Sequence, residues 1–371
     1  MNRDALQSGN KLMLGTFATN LDGGFTATKI PEKHHIDWPT VKSVAQKADR
    51  AGFEIQVPLA RWVSMGGETD FCGVNLEPIA WAAGLAEATE YSKIFATIHV
   101  PLVHPILAAK QMTTIDHISN GRFGINVVVG WNPREFAMYG KKPLEHDDGY
   151  EYAQEWIDIV NRLWTEDEPF DHKGKFFEIP GAWIQPKPIS QPRPAIMNAG
   201  TSPVGSAYAA RNADIAFSAI LTGDDSHAIQ QRFAGYRENA ARLGRNLSVW
   251  SGAWIICRDT EKEAREYYEY AIEQNGDIGV LDHIDPRVLP STEGLSEEEA
   301  FKLHARTLAA FGAHQMIGTP DSIAREMIEV SNAGVDGLVC MWIDYEEGLD
   351  TFAEHVMPRL ERAGVRKPFT P

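Results

Sequence analysis

Residues 94–130 read IFATIHVPLVHPILAAKQMTTIDHISNGRFGINVVVG, and this stretch sets the architecture. Two short apolar runs, 94–100 and 123–130, flank a longer helix-like segment at 105–116. The second run, FGINVVVG, is apolar at nearly every position and does not alternate, which is expected of a strand buried on both faces. A strand, a helix and a second buried strand imply parallel pairing through a crossover connection.

The same rhythm extends both ways. Upstream, residues 13–19 (MLGTFAT) and 54–60 (EIQVPLA) read as strands, each followed by a helix, at 38–51 and 77–89. The first of these helices places Val41, Val44, Ala45 and Ala48 at helical spacing on one face. Downstream strands are expected at 195–200, 214–220, 249–257 and 337–343, with helices at 204–212, 228–243, 262–274, 322–333 and 349–363. Eight strand–helix units fit a closed (β/α)8 barrel, an α/β fold, better than an open doubly wound sheet. One domain over residues 1–371 is the economical reading. Its extra length lies in three long connections, 131–147, 164–194 and 275–312, which put loop insertions at the C-terminal face of the strands. The third carries Gly276, Gly279, Pro286, Pro290, Gly294 and an acidic run at 297–299, and reads as a candidate lid.

The chain has 371 residues with 35 Lys+Arg against 51 Asp+Glu, a formal net charge of −16. That balance argues against nucleic acid as a partner, since no cationic excess is available to displace counterions from a polyanion. It leaves room for a local site that takes one phosphate. Cys72, Cys257 and Cys340 lie far apart, as expected of reduced thiols in a cytoplasmic protein. The first twelve residues are polar, without a signal-peptide core, and no run approaches the length of a membrane span.

No phosphate-binding P-loop, dinucleotide Gly-x-Gly-x-x-Gly, nucleophile elbow or His-Glu-x-x-His occurs, and no metal is expected. In a parallel barrel the chemistry belongs at the carboxyl ends of the strands. Polar residues gather there: Arg61 and Trp62 after the second strand, Thr97 and His99 in the third, Asn126 in the fourth and Asn198 in the fifth. A buried asparagine must satisfy both ends of its amide, and either a ligand or a structural hydrogen bond would serve at Asn126 and at Asn198. Residues 198–203 (NAGTSP) then end a strand, turn at Gly200, cap a helix with Ser202 and start it with Pro203. Such a turn aims backbone N–H groups at an anion, although residues 319–322 (TPDS) use the same capping chemistry with no ligand implied.

At residues 114–136, TIDHISNGRFGINVVVGWNPREF, the chain resembles the bacterial luciferase-like superfamily of flavin-dependent monooxygenases. Within it the resemblance is to the two-component branch of pyrimidine, dimethylsulfone and alkanesulfonate monooxygenases. Residues 66–69 (GGET), 75–77 (NLE), 172–177 (HKGKFF), 186–188 (PKP), 199–202 (AGTS) and 317–320 (IGTP) follow in family order. The resemblance implies an enzyme that uses FMN, as FMNH2, with O2. It further implies a separate NAD(P)H-dependent flavin reductase, a small-molecule substrate and a homodimer or homotetramer. Carried over residue by residue, it implies flavin contacts at Ala60, Arg61, Asn126, Glu135, Tyr150 and Ser202, with Gly200 and Thr201 in the phosphate turn. Thr97 and Asn126 match the pair beside the flavin ring that receives dioxygen, and Trp62, Trp131 and Phe136 are expected to form an apolar wall.

One position departs from the pattern: Gly149 stands where an arginine is expected before Tyr150. His99 is the sequence candidate for an acid or base. The implied outcome is cleavage of a C–S bond in a sulfone or sulfonate, or of a C–N bond in a heterocyclic amide. The mostly aromatic and amide groups between strands two and four favour a neutral substrate. The rival readings are a deazaflavin-dependent oxidoreductase of the same superfamily and a flavin-free barrel hydrolase.

Overall fold

The computed structural model describes residues 4–221, 224–284 and 289–370. The strands are β1 (Met13–Phe17), β2 (Ile55–Val57), β3 (Lys93–His99), β4 (Phe123–Val128), β5 (Phe170–Lys173), β6 (Glu178–Ala182), β7 (Ala195–Asn198), β8 (Ile215–Phe217), β9 (Ser248–Cys257), β10 (His314–Gly318) and β11 (Gly337–Met341). Eight of them close a ring in the order β1-β2-β3-β4-β7-β8-β9-β11, every pair parallel, with β11 back on β1. The ring is the expected barrel.

Two departures lie outside the eight expected strands. Residues 164–194 contain the antiparallel hairpin β5–β6, and β10 is a ninth parallel strand that the sequence pattern did not suggest. β9 is ten residues long. Its base pairs with β8 at Ser248–Trp250, and β10 takes over the same edge from Ala253 to Cys257.

The helices are α1 (Trp38–Arg50), α2 (Pro78–Ala88), α3 (Pro105–Ile118), α4 (Pro133–Met138), α5 (His146–Thr165), α6 (Pro203–Asn212), α7 (Ser226–Ala241), α8 (Glu261–Tyr268), α9 (Glu297–Ala305), α10 (Pro320–Asn332), α11 (Tyr345–Thr351) and α12 (Met357–Arg362). Asp37, Glu77, His104, Asn132, Ser202 and Thr319 each cap a helix with a side-chain acceptor ahead of a proline in the first turn. Each such cap contributes about 1 kcal/mol. They also fix helix starts at the end of the barrel where strands finish. The helices expected at 262–274 and 349–363 are interrupted by π-helical turns at Glu269–Gln274 and Phe352–Val356. The second turn precedes Pro358, whose ring would clash inside a regular helix.

Alternate strand residues fill the barrel. Ile55, Val57, Phe95, Met197, Ile215, Trp250 and Val339 form a core of their own inside the ring, separate from the larger core beneath the helices. Glycines make room for the bulky members. A methyl group on Gly15, Gly124 or Gly337 would lie 2.5, 2.6 or 2.3 Å from the side chain of Ile55, Phe95 or Trp250. Close packing of this kind leaves no slack for an added carbon.

Candidate functional site

Above that core, at the carboxyl ends of the strands, lies a cavity of about 690 Å³. Its lower wall is apolar, from Phe17, Val57, Met197, Phe217, Val339 and Met341, and Ala60, Arg61, Thr97, His99 and Asn126 line one side. Few polar groups in a mostly apolar concavity are typical of cofactor sites.

Thr97 and Asn126 are register partners on β3 and β4 and therefore project side by side. The Asn126 amide donates to Thr97 Oγ1 at 3.2 Å, and the Thr97 hydroxyl donates to the Pro58 carbonyl at 2.6 Å. With the threonine proton committed to Pro58, the free hydrogen-bonding capacity of the pair rests on Asn126. Its Oδ1 is buried and unpartnered. An orphan acceptor there costs about 1–3 kcal/mol unless something else fills the role. Asn198 is different. Its amide donates to the Val127 carbonyl at 2.8 Å, and its Oδ1 accepts the Gly200 N–H at 3.0 Å. Asn198 is a structural clip between β4 and the Gly200 turn, with both ends of its amide engaged by the backbone.

Arg61 is buried and held from two sides. Glu135 on α4 lies 3.6 Å from its Nη1, and the Trp131 ring stacks on the guanidinium at 4.8 Å. The other Glu135 oxygen accepts the Trp62 N–H at 3.0 Å, so one carboxylate fixes both the side chain and the backbone of this loop. Asn20 holds the loop from below, accepting the Leu59 N–H at 2.9 Å and donating to the Leu59 carbonyl at 2.8 Å. Arg61 Nε and His99 Nδ1 are buried without partners. Burial lowers the His99 pKa to about 4, against an upward pull from Glu135 and with a further downward push from Arg61. The imidazole is therefore neutral at pH 7. Among the three expected wall residues, Trp131 lines the cavity, Trp62 packs edge-on against Tyr139 at 5.3 Å, and Phe136 is buried beneath Gly130.

A second cradle adjoins the cavity through Ala199. Gly200 and Gly205 face each other so closely that a methyl group on Gly200 would lie 2.6 Å from the Tyr150 hydroxyl and 2.7 Å from the Gly205 backbone. Tyr236 donates to the Gly200 carbonyl at 3.1 Å, and the Ser202 oxygen accepts the Gly205 N–H at 3.1 Å as the cap of α6. Burial raises the Tyr150 pKa, so its phenol stays protonated and able to donate. Thr201 is exposed at the rim. The absent arginine has a steric reason: Gly149 is buried, and a methyl group there would sit 2.6 Å from Val129.

The roof comes from the long insertion. Pro290, Leu303, Arg306, Thr307 and Phe311 line the cavity, while residues 285–288, including the expected breaker Pro286, lie outside the described residues. A strand-like segment near the N-terminus grips both roots of this insertion. Thr28 bridges Gly276 and Thr26 bridges Ala309, while Ala27 N–H and Ala310 N–H donate to the Leu308 and Phe25 carbonyls at 2.8 Å each. At the second root, Ala310 and Phe311 adopt φ of 54° and 52°, left-handed values that cost roughly 1–2 kcal/mol each outside glycine. The turn sets the Phe311 ring edge-on against Phe25, with centroids 5.0 Å apart. Strain of this sort persists where surroundings enforce it, commonly at binding sites. Sequence reading found the insertion and named Pro290 as one of its breakers, but did not single out Leu303, Arg306, Thr307 or Phe311. Among the described residues, no three His, Cys, Asp or Glu side chains converge as metal ligands, and no helix is long and apolar enough to cross a membrane.

A parallel barrel with a largely apolar cavity at its carboxyl face, an orphan amide beside it and a tight Gly200–Gly205 turn adjoining it defines a TIM-barrel protein with a cavity of cofactor size. The sequence model of the luciferase-like monooxygenase family matches residues 13–337, and the chain belongs to that family. It is 30% identical to an FMNH2-dependent dimethylsulfone monooxygenase of Pseudomonas putida, over 91% of this chain and 92% of that one. A pyrimidine monooxygenase, RutA, of Bradyrhizobium sp. is 28% identical over 95% of this chain and 98% of its own. The fold is shared with DmoA from Hyphomicrobium sulfonivorans, with a TM-score of 0.82 at 20% identity over 97% and 90% of the two chains. It is shared also with the long-chain alkane monooxygenase LadA, with a TM-score of 0.81 at 21% identity over 97% and 93%.

Proposed function

We propose that this protein is an FMNH2-dependent monooxygenase that uses O2 to oxygenate a small organic substrate, cleaving a C–S or a C–N bond. The observation that carries the reading is the buried, unpartnered Asn126 Oδ1 on an apolar cavity wall next to the tight Gly200–Gly205 turn. The residues present fit the cofactor. Gly200, Ser202 and Tyr150 would hold the phosphate, with the Gly200–Gly205 contact replacing the bulk of a side chain by backbone. Ala60, Arg61 and Asn126 would border the ring, and Glu135 would position Arg61. When bound, reduced flavin supplies the electrons that activate dioxygen.

The chain's own task is to bind, orient and keep water out. Asn126 offers a neutral amide at the reacting face, held by Thr97, which is itself held by Pro58. Neutral His99 neither protonates an oxygen species nor draws a second anion into the pocket. The insertion at 275–312 serves as a lid above this face. Reduced flavin comes from a separate NAD(P)H-dependent reductase in the cytoplasm, and the working enzyme is a homodimer or homotetramer, to be checked by light scattering.

The decisive experiment supplies the full chain with FMN, NADH and a generic flavin reductase, and follows oxygen uptake over sulfones, sulfonates and cyclic amides. Substrate-dependent product formation with little free hydrogen peroxide is expected. Binding of reduced deazaflavin in place of FMNH2, without oxygen-dependent turnover, would overturn the reading in favour of a hydride-transferring oxidoreductase.

A further inference from the structure

Phe17 ends β1 in register with Val57, whose side chain belongs to the core inside the ring, so Phe17 also points inward. From it a series of phenyl rings climbs to the roof. Phe25 meets Phe17 edge-on with centroids 5.5 Å apart, and Phe311 meets Phe25 edge-on at 5.0 Å. All three residues line the cavity, and buried Phe71 packs on the Phe25 and Phe311 rings at 6.0 and 5.9 Å. β1 lies three strands round the eight-strand ring from β4, so this aromatic series stands across the cavity from Asn126. The last ring is held under strain. Ala310, Phe311 and Gly312 take φ of 54°, 52° and 72°, left-handed values in succession, whereas non-glycine residues visit that region singly. Ala310 N–H donates to the Phe25 carbonyl at 2.8 Å and Thr26 bridges Ala309, so the backbone that places Phe311 is tied to the backbone that places Phe25.

We infer that Phe17, Phe25 and Phe311 form the subsite for the body of the substrate, and that this body is an uncharged aryl group. Rings in edge-on contact offer a further aromatic ring the T-shaped or offset packing that a saturated ring of equal size does not gain. The three side chains bring no polar atom, and among the described residues no aspartate or glutamate lines the cavity, so a charged body would be stripped of water here without repayment. The inference deepens the monooxygenase reading and rests on it for the word substrate. With the flavin ring bordered by Asn126, the aryl group would lie against the opposite wall and present the bond to be oxidised toward the middle of the cavity.

The test uses the full chain and a binding readout that needs no turnover. Calorimetry compares methyl phenyl sulfone with methyl cyclohexyl sulfone, which have the same heavy atoms and differ only in the ring. The proteins are the native chain, Phe311→Leu and Phe25→Leu, each checked for folding by circular dichroism, with FMN binding measured alongside. The native protein should prefer the phenyl compound by roughly three- to tenfold, and each leucine variant, which keeps apolar bulk but loses a ring, should cut that ratio by about half or more. Failure of methyl phenyl sulfone to bind, a native ratio of one, or an unchanged ratio in either folded variant would overturn the inference. Weakened FMN binding in Phe311→Leu with the ratio intact would also overturn it, by assigning the ring to the cofactor. A phenyl preference that the variants lose, in a chain that fails to bind reduced FMN, would sink the monooxygenase reading and leave the aryl subsite standing.

Discussion

Asn126 and Asn198 are the same residue in neighbouring strands, and strand parity separates their fates. Asn126 pairs in register with Met197, which faces the barrel interior, so Asn126 faces the cavity and Asn198 the opposite side. Both asparagines were visible in the sequence as polar breaks in apolar runs. Their roles were not, because a three-dimensional register decides which face each takes. Asn126→Ala should fold normally and lower substrate oxygenation by roughly 100-fold while raising free hydrogen peroxide, the loss expected for one preorganised hydrogen-bonding group. A paired peroxide and product assay reads this directly. His99 gives a prediction in pH. Its pKa is about 4 in the folded chain against an ordinary 6.5, so between those values the unfolded chain binds more protons. The contribution is full above about pH 6.5 and is lost as pH falls toward 4, on the order of 3 kcal/mol. Urea unfolding of His99→Gln across pH 4.5–7 should show a shallower acid loss than the native protein.

The insertion at 275–312 shows how an element can be legible while its attachment is not. Glycines, prolines and excess length marked it, but the clamp on its first root is the GGET stretch, which reads in sequence only as part of a family pattern. Gly66 and Gly67 take φ of 76° and 77° and press so closely on the root that a methyl group would lie 2.2 Å from His283 or 2.4 Å from Asp277. Thr69 then donates its N–H and hydroxyl to one Asp277 oxygen at 2.6 and 2.7 Å. Desolvation alone would raise the Asp277 pKa, but these hydrogen bonds from Thr69, with one from the Glu68 backbone, hold it below the ordinary carboxylate value. Thr69→Val removes one charged hydrogen bond, worth about 1.5–3 kcal/mol, from the lid root. Faster proteolysis within 275–312 and more free peroxide per oxygen consumed are expected, with an unchanged cleavage rate counting against the clamp. β10 escaped notice for a related reason. HQMIG is too polar to stand out as a strand, and the signal lay in its partner: ten residues of β9 outrun β8, leaving an upper edge that something must pair.

At the scale of the whole molecule, stability and function occupy opposite ends of the barrel. The cavity opens where strands finish, whereas the far end is closed by an ion pair between chain segments more than 300 residues apart. Arg366 donates to the Leu12 carbonyl at 2.9 Å, the Gly52 carbonyl at 2.8 Å and Glu54 Oε2 at 3.0 Å. Glu54 in turn accepts the Leu14 N–H at 2.7 Å and the Asn10 amide at 2.6 Å. Both side chains are almost wholly buried, at 2% and 0% exposure, so neither charge can turn to water if its partner is lost. Arg366→Met should therefore destabilise by about 3–5 kcal/mol, chiefly by stranding the Glu54 carboxylate. Adding Glu54→Gln should restore part of that loss, because the double variant buries no uncompensated charge. Urea midpoints for the three proteins give the test, and failure of the second substitution to restore stability would argue that packing, not charge, holds this end closed. The folded fraction of each variant should keep the native ratio of product to peroxide, since the pair sits before β2 and after α12, away from every residue that lines the cavity.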